Sequence, residues 1–517
     1  MIYNERRSLP IWKRILVSIL SIVMIALQLA VFTVMVLYTV RETLDFTTGM
    51  SILYIITELL GFILVLTIIK RRINTNYKLT WCILIMLAPV FFGPFYLLNL
   101  TSRHLSRRKR TLIHEQLKQI PLSDVKEELK EDNPRFYNIA NVVNNIQLAP
   151  VLKNSKFKFY PDIAIKDQDM FLDLKNAKRT IYLEYFIISP GKLTDELYEI
   201  LKERGEAGVK IKILYDDIGC RGHNNGKIIK MLAGIKNCEV CPYQPFGINF
   251  NILVNYRNHR KLCIIDSVIA YCGGDNLADE YAHIIERFGY WRDNCSRYEG
   301  EAALSFAIQF GEMWYASTKE VLRDFEPEII PQFEGYGYVM PFTDGPLFVG
   351  DSTYNLFLSM ITNAKKCVYI STPYFIIDET MIDVICMKCK EGLDVKILMP
   401  GKPDKRTAFY MSRENYSKII RAGGEIYEMS RGFNHAKNIM VDGRCAFVGT
   451  ANMDYRSLYL HFECGALIMD SPEISVMEDD FLKEIENADF ITYEKFKKRP
   501  WYQKFIAFIF NLFAPVF

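Results

Sequence analysis

Three things are scarce in this 517-residue chain, and each scarcity excludes something. Excess charge is the first. Against 63 Lys and Arg stand 60 Asp and Glu, a net of +3. So small a balance over this length sets up no strong field for a polyanion. Clustered cysteine is the second. The 12 Cys are scattered, and the two C-x-x-C pairs, Cys238–Cys241 and Cys386–Cys389, lie far apart. One closes an extended run and the other falls on an expected helix, so both read as reduced thiols rather than as zinc or redox sites. The third is a small-residue cleavage site after the first apolar run, which reads as a retained helix and not as a signal peptide. A single core is excluded by length, since roughly 150 residues per domain suggests about three units.

Apolar residues concentrate near the N-terminus. Residues 15–40 form an uncharged run, long enough for the roughly 20 residues that cross a bilayer. Residues 51–69 form a second, interrupted by Glu58. Basic residues flank the outer ends of this pair (Arg6, Arg7, Lys13, Arg14; Lys70, Arg71, Arg72) and few lie between. That pattern predicts a helical hairpin with both ends in the cytoplasm. Residues 80–100 are apolar but carry Pro89, Gly93 and Pro94, with basic clusters on both sides. A kinked re-entrant or interfacial segment is expected there, an ordinary third span being the alternative. The membrane region is thus 1–110, followed by a charged connector over 111–154. The tail, 491–517, mixes Lys495, Lys497, Lys498, Arg499 and Lys504 with Trp501, Tyr502 and several Phe. Its apolar run is too short to span, and it is expected to lie in the interface.

Between connector and tail the sequence repeats. Asn176-Ala-Lys-Arg-Thr-Ile-Tyr-Leu-Glu-Tyr recurs as Asn363-Ala-Lys-Lys-Cys-Val-Tyr-Ile-Ser-Thr. Gly208-Val-Lys-Ile-Lys-Ile-Leu recurs as Gly392-Leu-Asp-Val-Lys-Ile-Leu. Helical stretches alternate with β-branched runs, an α/β pattern. Two α/β copies, 155–330 and 331–490, are expected to pack with pseudo-two-fold symmetry. Each copy closes on the same motif. Asn258-His259-Arg-Lys261-x4-Asp266 leads to Gly273-Gly-Asp-Asn276, and Asn434-His435-Ala-Lys437-x4-Asp442 leads to Gly449-Thr-Ala-Asn452. In H-x-K on a strand, His and Lys share one face. A duplicated fold uses two such half-sites most simply as one pocket.

Two His and two Lys in one pocket suit a phosphate. A neutral imidazole can attack phosphorus and a protonated one can donate to the leaving oxygen. Lys261, Lys437, Asn276 and Asn452 can hold the non-bridging oxygens. Lys supplies the charge that a cation would otherwise bring, so neither metal nor cofactor is expected. The nucleophile's ring needs orienting through its other nitrogen, usually by a carboxylate. Glu299 (Arg297-Tyr-Glu-Gly) and Glu463 (His461-Phe-Glu-Cys) are the candidates, from their similar places downstream.

The doubled H-x-K-x4-D resembles the signature of the phospholipase D superfamily across both copies. Finer features resemble its bacterial cardiolipin synthases: Arg257-Asn-His-Arg-Lys, Trp291-Arg-Asp, Thr372-Pro-Tyr-Phe, Pro400-Gly-Lys-Pro-Asp and Gly449-Thr-Ala-Asn-Met-Asp-Tyr-Arg-Ser. The hairpin, the Pro-broken segment and the tail fit that family too. Two residues depart from its pattern, His461 where Asn is frequent and Asp275 where an aromatic is common. The resemblance implies duplicated phospholipase D-type α/β/α domains. It implies phosphatidyl transfer between two phosphatidylglycerol molecules, through a phosphohistidine, to cardiolipin and glycerol. A hydrolase, or a transferase with another donor or acceptor, is the alternative. The resemblance makes His259 the nucleophile and His435 the acid/base, where motif symmetry leaves both orders open, and it gives Asp266 and Asp442 a supporting place. It also implies a multi-pass protein of the bacterial cell membrane with cytoplasmic catalytic domains, partnered by phosphatidylglycerol and anionic phospholipid and not by nucleic acid. The oligomeric state stays open, a homodimer included.

Overall fold

A computed structural model describes residues 45–71, 73–102, 122–147, 149–221, 225–244, 256–322, 327, 329–346 and 350–516. The expected span over 15–40 lies outside them. The chain divides into two compact units. One holds residues 1–109, 249–255 and 509–517, and the other holds 110–248 and 256–508.

In the first unit the run expected over 51–69 is one helix, Asp45–Ile69, with side chains described from Ile55 onward. Among the described residues no helix is long and apolar enough to cross a membrane. The third apolar segment is two helices, Thr75–Leu87 and Pro89–Ser102. They break at Ala88, whose φ of −152° and ψ of 74° follow from its place before a proline. Pro89 opens the second helix, where its missing N–H is harmless. The helix runs through Pro94, so the break expected from Gly93-Pro94 does not occur. Trp81, packed against Tyr77 and Tyr96, centres a small core with Val65, Ile68 and Ile85.

The second unit contains both copies, and their topology is duplicated. In the first copy the strands are β1 (Ser155–Tyr160), β2 (Thr180–Tyr185), β3 (Lys210–Asp216), β4 (Cys238–Tyr243), β5 (Lys261–Ile265), β6 (Ile269–Gly273) and β7 (Cys295–Gly300). They form a seven-stranded sheet in the order β1-β7-β6-β5-β2-β3-β4. The second copy has β8 (Tyr338–Asp344), β9 (Cys367–Ser371), β10 (Asp394–Pro400), β11 (Glu425–Met429), β12 (Asn438–Val441), β13 (Cys445–Gly449), β14 (Glu463–Met469) and β15 (Asp489–Phe490). Its eight-stranded sheet runs β8-β14-β13-β12-β9-β10-β11-β15, the first order with one edge strand added. The β2-β3-β4 and β9-β10-β11 strands are parallel and joined by helices, while the His-bearing strands β5 and β12 run antiparallel to their neighbours.

Each sheet has its own apolar core. The helix Glu301–Thr318, buried on most of its faces, touches strands of both sheets. The expected connector is more than a linker. Its helix Pro134–Ile146 places Phe136, Ile139, Ala140 and Val143 in the core of the second copy, an amphipathic face that charge counting alone concealed.

Candidate functional site

The fixed four residues between Lys and Asp come from a hairpin. Asp266 and Ser267 have φ of 52° and 58°, and the turn closes by Val268 N donating to Ile265 O at 3.1 Å. Asp442 and Gly443 repeat it at 57° and 63°, closed by Arg444 N to Val441 O at 3.2 Å. Positive φ at both central residues suits Asp and Gly and matches the twist of a two-stranded hairpin. The Asp266 carboxylate accepts from the backbone N–H groups of Lys178, Arg179 and Thr180. Asp442 accepts from those of Lys365, Lys366 and Cys367 and pairs with Arg135. Both acids therefore tie the end of the His-bearing strand to the start of β2 or β9, and neither joins the pocket chemistry.

His259 and His435 lie just ahead of the same two strands, which start at Lys261 and Asn438, and the copies meet there by exchange. His259 N donates to Phe462 O at 2.9 Å, and Phe462 N donates to Arg257 O at 2.9 Å. Residues Gly432–Asn434 pair in parallel with Tyr290–Arg292, and His435 N donates to Arg292 O at 2.7 Å. The segment before each His thus pairs with the segment before an acid of the other copy. His259 Nδ1 lies 3.0 Å from Glu463 Oε1, and His435 Nδ1 lies 2.5 Å from Asp293 Oδ2. With Nδ1 committed to a carboxylate, Nε2 is the nitrogen left for chemistry.

Glu463 fills its expected place, but Glu299 does not. Glu299 stands on β7 beside Lys156, 3.3 Å away, and Arg297, outside the pocket. The orienting acid of the first copy is Asp293, which sequence reasoning missed. Register shows the equivalence. Cys295 pairs with Gly273 and Gly465 pairs with Gly449, and Asp293 and Glu463 each stand two residues earlier. The two turn glycines let these strands close, since a Cβ at Gly273 would meet Asn294 O at 2.5 Å and one at Gly449 would meet Cys464 O at 2.4 Å. Thr450 Oγ1, also unanticipated, donates to Glu463 Oε2 at 2.5 Å.

The two Lys lie inside the same pocket. Lys261 Nζ donates to the His259 carbonyl at 2.6 Å. Lys437 Nζ donates to the His435 carbonyl and lies 2.9 Å from His435 Nδ1. The asparagines are less available than expected. Asn276 uses its amide on Ile187 N at 3.1 Å and Tyr281 Oη at 2.7 Å, so it braces the ring packed 5.6 Å from His435. Asn452 Nδ2 lies 3.3 Å from Asp454 Oδ2. Asn276 is thus engaged through both amide atoms, whereas Asn452 Oδ1 has no hydrogen-bond partner. Asp275 holds the same turn by accepting from the buried Lys166 at 2.7 Å.

Burial sets the electrostatics. It holds both imidazoles well below the usual histidine range, with Lys261 and Lys437 adding to the effect on each. Burial likewise pulls Lys261 down to about 7 and Lys437 to about 8, each repelled or steadied by the charges opposite. Asp293 is pushed up by the same burial. Phe186 on His259, and Trp291 with Phe433 on His435, wall the rings. The result is a buried, two-fold pair of neutral imidazoles with two ammoniums, a place where an anion gains more than it would in water.

The chain is similar to known proteins in sequence and in fold. The family model described as "Cardiolipin synthase, PLD-like domain" matches residues 170–285 and 357–485. A cardiolipin synthase of Halalkalibacterium halodurans is 31% identical over 479 residues, covering 89% of this chain and 93% of that one. One from Geobacillus kaustophilus is 35% identical over 351 residues, covering 67% and 69%. The crystal structure of phosphatidylserine synthase from Haemophilus influenzae has a TM-score of 0.56 at 15% identity, covering 73% of this chain and 97% of that one, a likeness of fold.

Proposed function

This chain belongs to the cardiolipin synthase family with paired PLD-like domains, and we propose that it moves a phosphatidyl group from one phosphatidylglycerol to another. The observation that carries this reading is the crossed pairing of His259 with Glu463 and of His435 with Asp293. His259 Nε2 attacks phosphorus and the bond to the headgroup oxygen breaks. His435, as imidazolium, gives that oxygen its proton, and glycerol leaves. The second phosphatidylglycerol then presents a headgroup hydroxyl. Neutral His435 takes its proton, the new P–O bond forms, the P–N bond breaks, and cardiolipin departs. Lys261 and Lys437 hold the non-bridging oxygens throughout. The entering phosphate offsets the repulsion of the two ammoniums and so favours protonation of His435. The incubation of purified full-length chain with phosphatidylglycerol alone should give cardiolipin and glycerol in equal amounts. Phosphatidic acid without cardiolipin would establish a hydrolase instead.

The pocket also sets a pH dependence. Both Lys must be charged to hold a phosphate, and burial lowers them to about 7 and about 8. Charge is therefore lost as pH rises through those values. Burial and the neighbouring ammoniums depress both imidazoles below their usual range, so the free enzyme holds them neutral. kcat/KM, which reports the free enzyme, should fall between about pH 7 and 9 and, since transfer needs His435 protonated, should go on rising as pH drops below about 7. Lys261→Arg, whose charge does not titrate in this range, should shift the alkaline limb upward even at lower activity. An unmoved limb would assign it elsewhere.

We further place the chain at the bacterial membrane, with residues 15–40 and 51–69 as a hairpin and the PLD-like copies on the cytoplasmic side. Support comes from apolar side chains left exposed on Asp45–Ile69 (Ile55, Leu59, Phe62, Ile63) and on Trp501–Phe513 (Trp501, Phe505, Phe508). The helices Thr75–Leu87 and Pro89–Ser102, of 13 and 14 residues, are each too short to span about 30 Å, which suits a re-entrant segment. The full chain should stay with membranes through an alkaline carbonate wash; its release would refute embedding.

A further inference from the structure

We propose that His259, His461 and Glu463 form a binding site for one zinc-class divalent cation, and that its occupancy blocks phosphatidyl transfer. Among the described residues these three bring one potential ligand atom each to within 4.8 Å of one another, all buried. Glu463 is aimed for the task. Thr450 takes its Oε2 at 2.5 Å, while Oε1 faces His259 Nδ1 at 3.0 Å and His461 Nδ1 at 3.7 Å. Ligands about 2.0–2.1 Å from a tetrahedral zinc sit roughly 3.3 Å apart, so small side-chain rotations suffice.

His461 is the residue that needs an account. It is 8% exposed, its ring lies 5.4 Å from that of His259, and neither of its ring nitrogens has a hydrogen-bond partner. Buried polar atoms are nearly always paired. The proposed transfer gives His461 nothing to do. Two imidazoles and a carboxylate are a common three-ligand set for zinc, with a fourth position for water. The ammoniums of Lys261 and Lys437 oppose a cation, and the carboxylates of Glu463 and Asp293 offset them in number. Zinc on His259 Nδ1 would leave the ring's proton on Nε2, the nitrogen that attacks phosphorus, so zinc-bound His259 is no nucleophile.

The inhibitory half of this inference rests on the transferase reading; the binding half does not. Zinc chloride alone, titrated into the purified full-length chain against a chromogenic chelator, should fill one site per chain. Cardiolipin formation should fall over the same concentration range and recover with excess chelator. His461→Asn should weaken zinc binding about tenfold or more and raise the half-inhibitory concentration in step. His461→Cys, which restores a zinc ligand, should keep tight binding. Equal zinc affinity in wild type and His461→Asn, or no zinc bound by wild type, overturns the site. Binding without inhibition of an active chain overturns the inhibitory role. Zinc binding that depends on His461, in a chain that makes no cardiolipin, supports the site and refutes the transferase reading.

Discussion

His259→Ala and His435→Ala should each reduce cardiolipin formation by about 10⁴-fold or more, since members of one catalytic unit fail together rather than in proportion. Each removes a buried ring whose Nδ1 partners a buried carboxylate, at 3.0 Å for Glu463 and 2.5 Å for Asp293. A residue left unpaired in that way costs stability as well, on the order of 1–3 kcal/mol. His→Gln variants keep a polar side chain against the acid and separate the two effects. Both should remain folded by thermal melt and remain as inactive as alanine. Trapping separates the two roles. With phosphatidylglycerol labelled in the acyl chains, acid-labile label should appear on wild-type and His435→Gln protein after quenching, and on His259→Gln none. Label on His259→Gln and none on His435→Gln would reverse the assignment. Substantial product from either single variant would sink the shared pocket.

Much of this arrangement was legible in the residues. The H-x-K spacing brought each Lys back to its His, although both His lie just ahead of their strands, and the duplication put the two half-sites together. Asp266 and Asp442 read as supports of the motif, five residues past Lys261 and Lys437, and both occupy a hairpin turn. The strand orders repeat as the internal sequence repeat requires. The exchange of acids between copies was not legible, because pairing of Tyr290–Arg292 with Gly432–Asn434 is a long-range contact with no local signal. The first-copy acid was misread for a related reason. From turn glycine to acid is 20 residues in one copy, Gly273 to Asp293, and 14 in the other, Gly449 to Glu463. Matching the aromatic-Glu pair of Arg297-Tyr-Glu-Gly to that of His461-Phe-Glu-Cys landed on Glu299, past Asp293. The Trp291-Arg-Asp triplet holds the acid, and register alone equates it with Glu463, since each stands two residues ahead of the residue paired with the turn glycine. Asn276 and Asn452 show the limit from the other side. Their residue type suits phosphate, and only the partners reveal that Asn276 braces the Tyr281 ring while Asn452 Nδ2 turns to Asp454.

Asp293→Asn and Glu463→Gln should each lower kcat by about 10²–10⁴-fold with KM nearly unchanged, because an amide favours the wrong imidazole tautomer while keeping the shape. The loss is expected to travel across the copies. Glu463→Gln, in the second copy, acts on His259 of the first and should slow the appearance of acid-labile label. Asp293→Asn, in the first copy, acts on His435 of the second; label should then still form, more slowly, and persist longer before the acceptor removes it. A merely structural role would lower both rates and the melting temperature together. Glu299→Gln is the internal control. It lies six residues beyond Asp293, pairs with Lys156 and Arg297, and should keep activity within about twofold, as surface pairs contribute little. A severe loss in Glu299→Gln, or none in Asp293→Asn, would return the orienting role to the residue that sequence spacing first suggested. If instead Glu463→Gln spared the labelling step and Asp293→Asn abolished it, the nucleophile would be His435, with the two-fold frame intact and only the order of its halves reversed.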